Sequence, residues 1–173
     1  MIETADNMDK ITTAVPQAYG PGKPMHGGKL VSGLEFLQAI VADSTASSQF
    51  NSLIGIRLIE AENDRVLYRV TPETRHMNAL GIAHGGLAAT LIDSATGAAV
   101  LSVQPAGGRS TTLELKVNFI RPLTAATGPV ECEGKVVHVG RRVATAEGRV
   151  IDAKGKLIAH GSATIMVFQA EDG

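Results

Sequence analysis

One cysteine in 173 residues, Cys132, leaves no partner for an internal disulfide. A chain without covalent cross-links fits a reducing compartment, and Cys132, set in Val130-Glu131-Cys132-Glu133 on an expected strand, reads as structural. Charge of one sign is also missing. With 16 basic and 17 acidic residues the net charge is −1, and no basic face rich in aromatics is present to bind nucleic acid. The first ten residues have neither the basic start nor the apolar run of a secretory signal. No stretch reaches the ~18 uninterrupted apolar residues of a membrane span. The expectation is a soluble, cytoplasmic protein with no membrane or nucleic-acid partner. The chain also lacks a Walker loop and a strand-linked Gly-x-Gly-x-x-Gly, and His76 and His84 have no third partner for a metal, so no metal and no resident cofactor are expected.

What is present is apolar. Hydrophobic residues make up 44% of the chain, enough for one domain with a substantial core. Residues 1–33, with Pro16, Pro21, Pro24 and scattered glycines, read as a flexible extension without regular structure, and residues 34–170 as the folded domain. From Leu34 to Ser47 the apolar spacing predicts a short amphipathic helix capped by Ser32, placed to cover a sheet edge or to wall a pocket. Two strands are expected at Gly55 to Ala61 and Arg65 to Thr71, with a turn at Glu62-Asn63-Asp64 and a loop after Pro72 in which His76 is solvated. Beyond residue 108, strands are expected at Thr111 to Ile120, Gly128 to Val139, Ala144 to Ile151 and Leu157 to Phe168. In the first of these Leu113, Leu115, Val117 and Phe119 alternate with Thr112, Glu114, Lys116 and Asn118, the pattern of a half-buried strand. Two strands, a long helix, then antiparallel hairpins predict an α+β fold with an antiparallel β-sheet curled round one helix.

That helix lies in Asn78 to Val103. From Leu87 the stretch is dense in Ala and Leu and carries one acid, Asp93. Burying a lone charge costs several kcal/mol, so Asp93 is either protonated, hydrogen-bonded, or at the edge of a cavity where chemistry occurs. Gly85 and Gly86 stand at the helix start, where free N–H groups and the dipole favour an anion or an oxyanion, or where glycine only permits close packing. Asp93 lies eight residues beyond Gly85, roughly 12 Å along one axis, so one chain cannot aim both at one carbonyl. If both act together, the acid comes from a second copy across a two-fold axis. An earlier His26-Gly27-Gly28 repeats the tripeptide but leads into Lys29-Leu30-Val31-Ser32-Gly33, which does not open a helix, and reads as coincidence.

Asn78, Gly81, His84-Gly85-Gly86 and Leu91-Ile92-Asp93 resemble the signature of the hotdog-fold acyl-CoA thioesterases, in the branch similar to the phenylacetic-acid-degradation thioesterase. The resemblance runs from about Ser52 to Phe168 and implies an antiparallel β-sheet wrapped around a long central α-helix. It implies Asp93 as general base or nucleophile and the Gly85 N–H as the group that polarises the thioester carbonyl. It further implies that Asn78 positions carbonyl or water, that His84 shapes the loop, and that Thr112, beside Thr111, assists the acid. The substrate would be an acyl-CoA, with CoA a part of it, and the assembly at least a dimer and in the family a homotetramer. Arg121, Arg141 and Arg142, at strand ends and turns, are candidates for the CoA phosphates, with His138 and Lys116 weaker ones. The alternative is a non-catalytic acyl-CoA-binding hotdog protein, which would not need Asp93, Asn78 and Thr112 together. A hydratase would pair a catalytic His with an acid in a different local pattern.

Overall fold

The computed structural model describes residues 23–43 and 47–169. Most of the expected extension, Pro16 and Pro21 included, lies outside them. Its described part is partly regular, because Gly27 and Gly28 both take positive φ and close a two-stranded ribbon, β1 (Met25–His26) with β2 (Lys29–Leu30). The repeated His-Gly-Gly is therefore a hairpin turn.

Helix α1 (Gly33–Ala42) starts where Ser32 and Glu35 form a reciprocal capping box. The Ser32 amide donates to the Glu35 carboxylate at 2.8 Å, as does the Ser32 hydroxyl, and together they hold its carboxyl below the usual range. The helix stops at Ala42, before Ser47. A second helix, α2 (Gln49–Ile54), is not foreseen by the periodicity, because six residues are too few to show it. Its ends are still written in the sequence: the Ser48 hydroxyl accepts from the Asn51 amide, and Gly55 closes the helix at φ 78°. With Gly55 as the cap of this helix, the first expected strand starts at Arg57 rather than at Gly55.

Strands β3 (Arg57–Glu62) and β4 (Arg65–Val70) form a hairpin through Asn63-Asp64, and the Asp64 amide donates to the Ser102 hydroxyl at the far end of the long helix. That helix, α3 (Gly85–Ser102), runs unbroken beneath β5 (Arg109–Phe119), β6 (Val130–Val139), β7 (Val143–Asp152) and β8 (Leu157–Phe168). The sheet order is β3-β4-β6-β7-β8-β5, with every neighbour antiparallel. This is the α+β, hotdog arrangement that the motif implies.

The helix sits close because of three glycines. Gly134, Gly148 and Gly161 pair across β6, β7 and β8 on the inner face. A methyl at Gly134 would collide with the Ala95 carbonyl, and one at Gly148 would lie 2.8 Å from Ile92 Cγ2. Removing side chains there lets α3 sink onto the sheet, so that Leu91, Ile92, Ala95, Ala99 and Val100 are fully enclosed. The outer face is charged instead, with Arg65 bonded to Glu133 at 2.7 Å and to Glu60 at 3.1 Å. No helix among the described residues is long and apolar enough to cross a membrane.

One strand departs from its sequence pattern. Thr112 pairs with Ile165 and Glu114 with Thr164, so Leu113 is an extra residue, a β-bulge. Before the bulge Thr112 faces inward, and after it Leu115 and Val117 do. Strict alternation would have put Thr112 outside with Glu114. Leu113 and Phe119, expected to be covered, are 54% and 59% exposed.

Cys132 is fully enclosed between strands, and burial pushes its thiol from 9.0 up to about 12. A folded pKa above the unfolded one gives a contribution to stability that is complete below pH 9 and is lost as pH rises toward 12. Native protein at pH 9 should therefore resist iodoacetamide, whereas urea-unfolded protein reacts; mass spectrometry of the adduct checks this.

Candidate functional site at the start of the long helix

The loop before α3 is built from its own backbone. Asn78 Oδ1 accepts from the amides of Leu80 at 2.9 Å and Ile82 at 3.3 Å, and Gly81 completes the turn at φ 75°. His76 is not solvated as expected. Its Nδ1 accepts from the Glu73 amide and its Nε2 meets the Ile54 carbonyl, both at 2.9 Å, so it locks the loop to α2. The sequence gives no sign of this, because both partners are backbone atoms.

His84 is the N-cap of α3. Its Nδ1 accepts from the Gly86 amide at 3.0 Å, which fixes the ring proton on Nε2, and its carbonyl accepts from Leu87 at 2.9 Å. Gly86 and Leu87 are thereby engaged. The Gly85 N–H, the first of the helix, has no protein acceptor among the described residues.

That N–H lies at the wall of an open cavity of about 340 Å³ bounded by Gly85, Ala88, Phe119, Arg121, Leu123 and Ile158. Phe119, which the alternation placed in the core, lies over Gly85, close enough that a Cβ there would sit 3.0 Å from its ring. Arg121 stands at the rim and donates to the Leu157 carbonyl. The helix start and its dipole thus face an apolar space with one cation beside it, an arrangement suited to a polarised carbonyl.

Asp93 is half-buried on the same helix, two turns away. Thr112 Oγ1 donates to Asp93 Oδ1 at 2.8 Å, which orients the carboxylate and leaves Oδ2 without a protein donor among the described residues. Thr111, its neighbour, faces the outside with Met166. Because α3 is continuous from Gly85 through Asp93, the two groups stay roughly 12 Å apart within one chain.

Arg141, Arg142 and His138 are exposed at the β6–β7 turn. The Arg142 carbonyl accepts from Val167, whereas the Arg121 amide donates to the Ile158 carbonyl, and nine residues of β8 separate these points by about 30 Å. One chain therefore does not gather Arg121 with Arg141 and Arg142. Lys116 lies on the outer face, opposite Ser162. Among the described residues no group of three or more His, Cys, Asp or Glu is close enough to hold a metal ion.

The family model of the thioesterase superfamily matches residues 80–159, the long helix and strands β5, β6 and β7. A Halobacterium salinarum protein whose name proposes an esterase is 33% identical over 129 residues, covering 68% of this chain and 83% of that protein. Human acyl-coenzyme A thioesterase 13 is 28% identical over 137 residues, covering 78% of this chain and 96% of that one. Among solved structures, a variant of the phenylacetic acid degradation protein PaaI of Thermus thermophilus matches with a TM-score of 0.62 and 28% identity, over 69% of this chain and 98% of that one. With a family model that matches the long helix and relatives covered over most of their length, the chain belongs to the thioesterase superfamily.

Proposed function

We propose that the protein is an acyl-CoA thioesterase whose active sites are shared between two copies of the chain. One observation carries the reading: Asp93 is held by Thr112 through one oxygen, with the other open, on the same helix as the uncommitted Gly85 N–H yet too far from it to act on one carbonyl. A partner must supply one of the two.

The free edge of β5 supports a route to that partner. Two β5 strands pairing antiparallel across a two-fold axis, with Thr112 of the partner subunit opposite Phe119, would bring Asp93 of the partner subunit beside Gly85. The carbonyl oxygen would rest on the Gly85 N–H. The carboxylate would either take a proton from a water molecule that attacks the carbonyl carbon, or attack that carbon itself to form a mixed anhydride that water then hydrolyses; in both routes the carbon–sulfur bond breaks and the CoA thiolate takes up the proton that water gives up. Asn78 holds the loop that shapes the opening, and His84 holds the helix start. The same axis returns the β6–β7 turn of the partner subunit to this end of the joined sheet, about 14 Å, or three strand spacings, from β5. Arg141 and Arg142 of the partner subunit then join Arg121 as contacts for the CoA phosphates, with His138 nearby. Two such dimers would form a tetramer through surfaces other than β5.

The test is release of free CoA thiol from phenylacetyl-, benzoyl-, butyryl-, octanoyl- and palmitoyl-CoA. Turnover on at least one is expected, and none on any overturns the reading in favour of a binding protein. Thr112→Ala frees the carboxylate to rotate and should lower kcat about tenfold with KM little changed.

A further inference from the structure

The outer face of the sheet carries a cavity of about 240 Å³. The register of β5, β8 and β7 sets six polar side chains around it in two rows of three: Asn118, His160 and Arg149 in one, Lys116, Ser162 and Glu147 in the other. Gly148 and Gly161 lie between the rows, and a Cβ on either would meet Ile92 of α3. The six therefore point away from α3 and from Asp93. Among the described residues none of the six side chains makes a hydrogen bond or an ion pair. Elsewhere on this face the arginines are paired, Arg65 with Glu133 and Arg69 with Glu131. Glu133 is also the residue opposite Arg149, so its commitment to Arg65 leaves Arg149 without an acid.

We propose that this cavity binds a small sugar phosphate, at a site separate from the thioester chemistry and independent of that reading. With strands about 4.8 Å apart and residues two apart along a strand about 6.8 Å apart, Lys116 and Arg149 stand at opposite corners, about 12 Å from each other and roughly 6 Å from the centre of the array. Both side chains are long enough to meet at that centre. Two cations converge on one point only around an anion. Ser162 and His160, on the middle strand beneath it, add a hydroxyl and a ring donor, so a phosphate there finds four donors. The other two corners are Glu147 and Asn118. A carboxylate repels a bare anion but accepts from hydroxyl groups, and an amide both accepts and donates, so these corners suit the polyol part of the ligand. No aliphatic or phenyl side chain lines the cavity, which gives neither a hydrocarbon chain nor a stacked base a wall to rest on. The volume takes about eight water-sized groups, more than a phosphate ion alone fills.

The test is calorimetry of the full chain with ribose 5-phosphate, inorganic phosphate and ribose. Ribose 5-phosphate should bind with a dissociation constant at or below about 1 mM, about tenfold tighter than inorganic phosphate, and ribose should give no heat. Arg149→Gln and Lys116→Gln should each weaken ribose 5-phosphate about tenfold. Glu147→Gln should tighten inorganic phosphate and erase the advantage of the sugar phosphate. Arg149 and Glu147 are exposed, so both variants keep the fold, and Arg149→Gln should leave release of CoA thiol unchanged. Free coenzyme A, whose phosphates belong at Arg121, should not displace the ligand. Absence of binding, binding unchanged in Arg149→Gln, displacement by coenzyme A, or inorganic phosphate held as tightly as ribose 5-phosphate would each overturn the proposal.

Discussion

Asp93→Asn should abolish most turnover, by about 10²- to 10⁴-fold in kcat, while the protein keeps its fold and oligomeric state. The substitution is nearly isosteric, and the amide oxygen can still accept from the Thr112 hydroxyl that now bonds Oδ1 at 2.8 Å. Packing around Ile92 and Ala95 is untouched, so stability should change little. What disappears is the ionised oxygen, which both the base route and the nucleophile route need. The measurement is thiol release beside the wild type, with circular dichroism as the control. Full activity would remove Asp93 from the mechanism.

Gly85→Pro should cost about 10²- to 10³-fold in kcat by deleting one N–H. The structure makes this a clean deletion. Gly85 is the first residue of α3, the helical position that best tolerates proline, because its N–H has no partner within the helix. His84, at φ −56° and ψ 136°, already has the extended backbone required before a proline. A Cβ at Gly85 would sit 3.0 Å from the ring of Phe119, which is 59% exposed in the single chain. The two lesions can then be combined. If Gly85 of one chain works with Asp93 of the other, a mixed dimer of Gly85→Pro and Asp93→Asn holds both defects in one site and leaves the second intact. Refolding the inactive variants together at equal ratio should restore about a quarter of wild-type activity, since half the dimers are mixed and each has one working site. Mixtures as inactive as their components would place the whole site within one chain.

The helix opening illustrates what one sequence can convey. Glycine after His84 and a single acid within an Ala-rich stretch already imply a free helix start and a carboxylate that needs a reason. The separation of Gly85 from Asp93 follows from 1.5 Å per residue, whatever the rest of the chain does. The strands from Gly128 onward are legible because their turns carry glycine and charge at the ends of apolar alternation. Helix α2 is not, as it is short and its evidence is confined to two caps.

The Thr112–Asp93 bond depends on something periodicity misreads. Alternation assigns Thr112 to the outer face with Glu114, and the bulge at Leu113 turns it inward. A bulge is favoured by how β5 must bend over α3 against β8, a cost summed over many distant contacts that no local pattern records. The same holds for His76, whose partners are backbone atoms of Ile54 and Glu73.

By itself the sequence determined the order of the main strands and the long helix, the α+β class, the acid and the helix-start glycine, because these depend on local spacing and on the cost of burying a charge. Tertiary structure alone decided which face Thr112 takes, that Phe119 covers Gly85, and that Arg141 lies at the far end of the sheet from Arg121. These are relations between residues far apart in the chain, fixed only when the row Gly134, Gly148 and Gly161 lets α3 settle against the sheet.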